Sequence, residues 1–255
     1  MLSGAALLLG GCGTPKDPTA GMTPQQIHEE AKDSISNGAY YKAVPLLEKL
    51  EARAAGTPLA QQAQLDKAYA QFRNSEPAQA HATLERFIRL HPASPALDYA
   101  LYLKGMVSFN DDLGFLSRLT GMDLSERDQK AAKESFLAFK ELITRFPASR
   151  YTPDARLRMG YIVNSLAQYE VHVARYYMRR GAYLAAVNRA QQAITDYRET
   201  PAVEEALALL VQAYEALNMP ALRDDARRVL EQNYPQSRFL PQNANSSSGA
   251  WWKFW

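Results

Sequence analysis

The 255-residue sequence contains one cysteine, Cys12. A single thiol excludes an internal disulfide, a CxxC redox pair and a cysteine-rich zinc site. Long hydrophobic runs are lacking too. The longest, Leu2 to Gly11, has about half of the ~20 residues that a membrane-spanning helix needs. Nor is there an excess of one charge: 29 Lys and Arg stand against 27 Asp and Glu, a net +2, with no basic block. Without a phosphate-neutralising face, nucleic acid is excluded as a partner class. HExxH spacing, a glycine-rich phosphate loop and a Gly-x-Ser-x-Gly elbow are missing. The four histidines, His28, His81, His91 and His172, are scattered without metal-ligand spacing, and the acid pairs Asp111-Asp112 and Glu204-Glu205 read as solvated surface. The expectation is a protein that is not an enzyme and uses no metal or other cofactor.

The apolar start ends in Leu9-Gly10-Gly11-Cys12. It resembles the lipobox of a bacterial lipoprotein signal, in which small residues enter a peptidase cleft and the thiol takes up diacylglycerol. On this reading residues 1–11 are cleaved, Cys12 carries N-acyl and S-diacylglycerol lipid, and residues 12–23 form a tether. Two prolines and two glycines among the eleven residues after Cys12 suit a tether, with a reach of at most ~36–40 Å. Gly13 stands where lipoproteins retained in the inner membrane have Asp, so the outer membrane is the expected address. No Lys or Arg precedes the apolar run, a departure from the usual signal. An ordinary cleaved signal, or a leader with an incidental cysteine, is the alternative.

From Pro24 to Phe239 the pattern is helical, and the fold class is all-α. Three junctions repeat one theme: His91-Pro92-Ala93-Ser94, Phe146-Pro147-Ala148-Ser149 and Tyr234-Pro235-Gln236-Ser237. Seventeen residues before Pro92, Arg198 and Pro235 stand the turn residues Ser75, Gly181 and Asn218. Gly38-Ala39-Tyr40 through Ala43 and Gly181-Ala182-Tyr183 through Ala186 share a Gly-x-Tyr-x-x-Ala pattern: glycine for the turn, an aromatic wedge, and a small residue for close helix approach. This resembles the tetratricopeptide repeat. Five helix pairs are predicted, near 24–57, 59–92, 95–147, 152–198 and 202–235, wound as a right-handed superhelix within a domain spanning 24–239. The third pair carries an insertion around Phe109 to Arg127, and the fourth a long first helix from about 153 to 180. Pro45 predicts a kink or a late helix start. Repeats of this kind present a groove, which points to binding.

Gly121-Met122-Asp123-Leu124-Ser125-Glu126-Arg127-Asp128, Arg86 to Pro92, Asp98 to Gly105, Tyr169-Glu170, Tyr176-Tyr177 and Arg180 to Arg189, taken with the lipobox, resemble the BamD family of the outer-membrane β-barrel assembly machinery. The resemblance implies a scaffold on the periplasmic face of the outer membrane. Its implied partners are the periplasmic domains of BamA, the other Bam lipoproteins, unfolded barrel substrates and outer-membrane lipid. Within it, Tyr69 and Arg73, four apart on one helix face, are candidates for a substrate's aromatic terminus and carboxylate, the alternative being a core tyrosine and a solvated arginine. Asp123, Arg127 and Asp128 are candidates for a salt-linked loop that orders the insertion and are also candidate partner-binding residues. Arg189, with Asn188, Tyr169 and Glu170, is the candidate partner surface, the arginine fork suiting an interface carboxylate. Arg189→Glu is expected to weaken capture of BamA without lowering the melting temperature. Another periplasmic repeat lipoprotein, serving pilus or envelope assembly, is the alternative.

Residues 240–255 differ from the rest: a polar stretch ends in Trp251-Trp252-Lys253-Phe254-Trp255, which holds all three tryptophans. Such a cluster docks on the repeats, on a partner or at a membrane interface.

Overall fold

A computed structural model describes residues 17–109 and 129–243. Among these the chain forms ten helices and no strand. They are α1 (Pro24–Ser36), α2 (Tyr40–Arg53), α3 (Pro58–Arg73), α4 (Pro77–Leu90), α5 (Leu97–Ser108), α6 (Gln129–Arg145), α7 (Thr152–Arg179), α8 (Tyr183–Asp196), α9 (Ala202–Ala216) and α10 (Pro220–Asn233). Consecutive helices pack as five pairs, as the junction spacing predicts. The chain clusters into two compact units, one ending at Leu90 and one beginning at His91.

Local chemistry explains the boundaries. Pro24, Pro58, Pro77 and Pro220 each open a helix, where the missing N–H costs nothing and the fixed φ is already helical. Thr23 and Gln26 form a reciprocal capping box at the start of α1. Within four pairs the first helix ends in one and the same turn. Gly38, Ser75, Gly181 and Asn218 take φ of 72°, 63°, 70° and 56°. The amide after each donates to the carbonyl five residues back, at 2.8–3.0 Å, which is the Schellman arrangement. The second helix starts two residues beyond the left-handed residue in all four.

After each pair a second turn recurs. The amides of Thr57, Ser94, Ser149, Thr200 and Ser237 donate to the carbonyls of Ala54, His91, Phe146, Tyr197 and Tyr234 at 2.9–3.1 Å. The residue three further on is buried each time: Ala60, Leu97, Thr152, Val203 and Leu240.

The core of the first unit joins Ile27 and Ala31 of α1 to Ala43, Leu47 and Leu50 of α2 and Ala60, Ala63 and Ala70 of α3. Small residues bring these helices close, and each fully buried leucine contributes about 1.5–3 kcal/mol. In the second unit, Val171 and Ala174 of α7 meet Val187, Ala190 and Ala193 of α8 and Ala206, Leu209 and Leu210 of α9.

The long first helix of the fourth pair is present as the 28-residue α7. The late start considered for Pro45 does not occur: α2 begins at Tyr40 and continues through the proline. Only the carbonyl of Tyr41 loses a helical donor there, on an exposed side of the helix. Cys12, the candidate loop residues Asp123, Arg127 and Asp128, and the tryptophan segment lie outside the described residues.

Candidate functional site

In the first unit Tyr69 and Arg73 are one turn apart on α3, and a third residue, Tyr40 at the start of α2, completes the cluster. Arg73 Nη1 donates to Tyr69 Oη at 3.0 Å. The guanidinium lies 5.2 Å from the Tyr40 ring centroid and 5.9 Å from that of Tyr69. The two rings meet edge to face, 6.3 Å apart at 81°. Both tyrosines are half-buried while Arg73 is exposed, and none of the described ion pairs uses Arg73. The site is therefore a cation held over two aromatic faces, with no described carboxylate paired to it. It suits a carboxylate carried next to an aromatic or apolar group. Tyr69 packs on Tyr40 while its hydroxyl accepts from the exposed Arg73. Sequence reasoning missed Tyr40, although its Gly-x-Tyr-x-x-Ala motif marks it as a wedge between helices.

Beside this cluster α3 is fixed to its neighbours through Glu51 of α2. The carboxylate accepts from Gln64 Nε2 at 2.9 Å, Lys67 Nζ at 2.8 Å and Arg86 Nη2 at 2.7 Å. Burial pushes the Glu51 carboxyl up, but the hydrogen bond and charge of Lys67, with Gln64 and Arg86, outweigh it and hold it below its usual range. Thr83 of α4 donates to Gln71 of α3 at 2.9 Å, both buried. These residues stand 12 to 35 apart in sequence, so no local pattern reveals them.

The residues leading into α1 are also pinned. Asp17 accepts from Lys49 and, at 3.3 Å, from Arg53 Nη2; Arg53 Nη1 donates to the carbonyls of Thr19 at 2.9 Å and Met22 at 3.3 Å. The hydrogen bond from Lys49 and those from the Thr19 amide and hydroxyl hold the Asp17 carboxyl far below the usual carboxylate range. Thr19 is completely buried. The tether expected over residues 12–23 is thus bound to α2 from Asp17 onward, because Lys49 and Arg53 offer two cations one turn apart.

In the second unit the structure brings Glu170 and Arg189 together. Glu170 of α7 is only 3% exposed and accepts from Arg189 Nη1 of α8 at 3.1 Å; Gln192 Oε1 lies 3.5 Å from the same nitrogen. The fork read as suiting an interface carboxylate is thus engaged at one nitrogen by a carboxylate of the chain itself. The Arg189 side chain remains 38% exposed, so one edge still faces solvent. Tyr197 stands close by, its hydroxyl pKa raised by burial and then by the charges of Glu170 and Asp196. Tyr169 is half-buried. Asn188 is exposed and lines a separate groove with Tyr183, Leu184 and Leu217.

Among the described residues no three His, Cys, Asp or Glu side chains converge in a way that could hold a metal ion. No described helix is long and apolar enough to cross a membrane. What the two clusters offer is recognition by charge, aromatic faces and half-buried grooves.

The family model described as YfiO, outer membrane lipoprotein, matches residues 20–232. The outer membrane protein assembly factor BamD of Neisseria meningitidis serogroup B is 48% identical over 237 residues, covering 93% of this chain and 89% of the relative. The proteins of the same name from Neisseria gonorrhoeae and Vibrio cholerae are 47% and 34% identical, covering 93% and 90% of this chain and 89% and 95% of theirs. With a match over most of its length and identity well above that of chance relatives, the chain belongs to the BamD family of outer membrane protein assembly factors.

Proposed function

We propose that this chain is the lipid-anchored scaffold of a β-barrel assembly complex. It binds the periplasmic domains of BamA and the accessory lipoproteins, receives unfolded barrel substrates, and performs no catalysis of its own. The observation that carries the reading is the family match, which spans both clusters. Covalent lipid on Cys12 supplies the anchor. With the chain held at Asp17, only Gly13 to Lys16 separate the acylated residue from the folded unit, a reach of at most ~17–18 Å from Cys12 to Asp17. The first unit then stands against the inner leaflet instead of hanging from a long leash.

The Tyr40–Tyr69–Arg73 cluster receives the substrate. A barrel strand ending in an aromatic residue carries a ring and a carboxylate on one residue, and the cluster offers two rings and one guanidinium with no described counter-ion. In the second unit the surface around Arg189, Asn188 and Tyr169 faces BamA, with Glu170 setting the arginine's orientation from below.

The substrate assignment is tested by titrating the chain with a peptide that ends in phenylalanine, and with the same peptide amidated at its C-terminus. Arg73→Gln is expected to weaken the acid peptide by about tenfold, as loss of a charge-assisted pair at a partly exposed site implies, and to leave the amide unaffected. Equal loss for both peptides would remove the carboxylate from the account.

A further inference from the structure

Pro45, inside α2, lines a groove of about 560 Å³ formed by α2, the second half of α1 and the chain that leads into α1. Its apolar lining comes from Pro18 and Met22 of the lead and from Tyr41, Pro45 and Leu46 of α2. Met22 and Leu46 pack on the core of the first unit, whereas Pro18 and Pro45 are exposed and Tyr41 is 64% exposed. Successive residues of a helix stand about 100° apart, so Tyr41 serves a different face from Tyr40 of the substrate cluster.

Two charges of opposite sign line the same groove, Glu30 of α1 and Lys42 of α2. Both are exposed, and no described ion pair contains either. Lys49 lines the groove too but is already paired with Asp17. Lys42 Nζ lies 5.8 Å from the Tyr41 ring centroid, so a cation of the chain itself covers that ring. Pro45 adds an acceptor, because it has no N–H to offer the carbonyl of Tyr41 four residues back.

A ligand that fits this lining has an apolar body, an anion for Lys42, and a cation with N–H donors for Glu30 and the Tyr41 carbonyl. A phospholipid with a phosphoethanolamine headgroup has all three: acyl chains, a phosphate, and a primary ammonium with three donors. Phosphocholine carries the same charges but no N–H, and the ring that could attract its quaternary ammonium is under Lys42. Phosphoglycerol lacks the cation. An exposed tyrosine and a lysine with a long apolar stem are also the side chains that suit a membrane–water boundary.

We infer that this groove docks on the headgroup layer of the membrane and holds a phosphatidylethanolamine molecule there. The docking rests on the anchored reading of the chain: with lipid on Cys12, the groove wall that begins at Pro18 starts one residue beyond Asp17, itself within ~17–18 Å of the acylated residue. At that range the effective lipid concentration is high, and a weak site suffices to fix which face of the first unit meets the leaflet. The acyl anchor supplies affinity and the groove supplies orientation.

The test is flotation of the full chain carrying Cys12→Ser, which has no anchor, with three kinds of vesicle: phosphatidylcholine alone, or mixed in equal parts with phosphatidylethanolamine or with phosphatidylglycerol. Partition onto the phosphatidylethanolamine vesicles is expected to be about tenfold stronger than onto phosphatidylcholine alone, as one charge-assisted hydrogen bond implies, and stronger than onto phosphatidylglycerol. Glu30→Gln should bring it down to the phosphatidylcholine level. Tyr41→Asp should lower partition onto all three. Both residues are exposed, and far-ultraviolet circular dichroism should be unchanged in both variants. Equal partition onto phosphatidylethanolamine and phosphatidylcholine overturns the assignment, as does a preference that survives Glu30→Gln. A preference for phosphatidylglycerol overturns it as well, since that marks general attraction of cations to an anionic surface. Partition indifferent to Tyr41→Asp places the contact elsewhere on the chain and has the same effect. The anchored reading fails on a separate result, an unmodified Cys12 in the intact mass of the mature protein, which the vesicle measurement cannot produce.

Discussion

Ser75 occupies a left-handed backbone position, φ 63°, that its counterparts at Gly38 and Gly181 fill without a side chain. A residue with a Cβ pays about 1 kcal/mol or more there. Ser75→Gly is therefore expected to raise unfolding stability by about 1 kcal/mol, seen as a higher denaturant midpoint with an unchanged slope. Glu51 behaves differently. Its carboxyl is held below the usual value, so its contribution is complete above that value and is lost as pH falls below about 4.5 and through the lower folded-state value. Glu51→Gln should flatten the acid limb of the stability profile. At neutral pH it should cost about 3 kcal/mol by leaving Lys67, with 8% of its side chain exposed, without a counter-charge. At Arg189 the structure revises an expectation. Glutamate there faces the buried Glu170, so Arg189→Glu lowers the melting temperature as well as partner capture. Arg189→Lys keeps the charge but loses the planar fork and is the cleaner probe of the interface.

At the scale of elements, the turns were legible because they impose residue types. The left-handed residue of the Schellman turn selects Gly, Asn or Ser, and the turn after each pair selects Ser or Thr at a fixed offset. Two of the five turns that follow the pairs, ending at Thr57 and Thr200, escaped the proline-based pattern because their prolines are shifted to Pro58 and Pro201. Contacts that depend on three-dimensional proximity were not legible: Tyr40 against Tyr69, Glu51 with Lys67 and Arg86, and Asp17 on Lys49. Arg189 was legible as an unusual residue on an Ala- and Val-rich helix, but its partner 19 residues upstream was not. The third pair supplies an element-scale prediction. Gly105 of α5 packs so closely that a Cβ would overlap the ring of Phe139 on α6, and Ser135 donates to the Gly105 carbonyl at 2.8 Å. Gly105→Ala should destabilise the protein by about 1–3 kcal/mol, measured by thermal unfolding, and Gly105→Ala with Phe139→Leu should recover part of the loss.

For the whole molecule, absence and presence in the sequence pointed the same way. With no thiol pair, no metal spacing and no phosphate loop, what remained was a regular stack of helix pairs, and repeats of that kind present surfaces. The two clusters belong to separate units and carry different chemistry, one a cation over tyrosine rings with no described counter-ion, the other an arginine oriented by a buried glutamate. The proposed scaffold, receiving a disordered substrate and holding a folded partner, would use both. Affinity purification of the tagged chain from solubilised outer membrane tests this most directly. The account predicts recovery of the barrel subunit in near-equal amount with the parent chain and several-fold less with Arg189→Lys. Recovery of pilus or wall-synthesis components in place of the barrel subunit would contradict it.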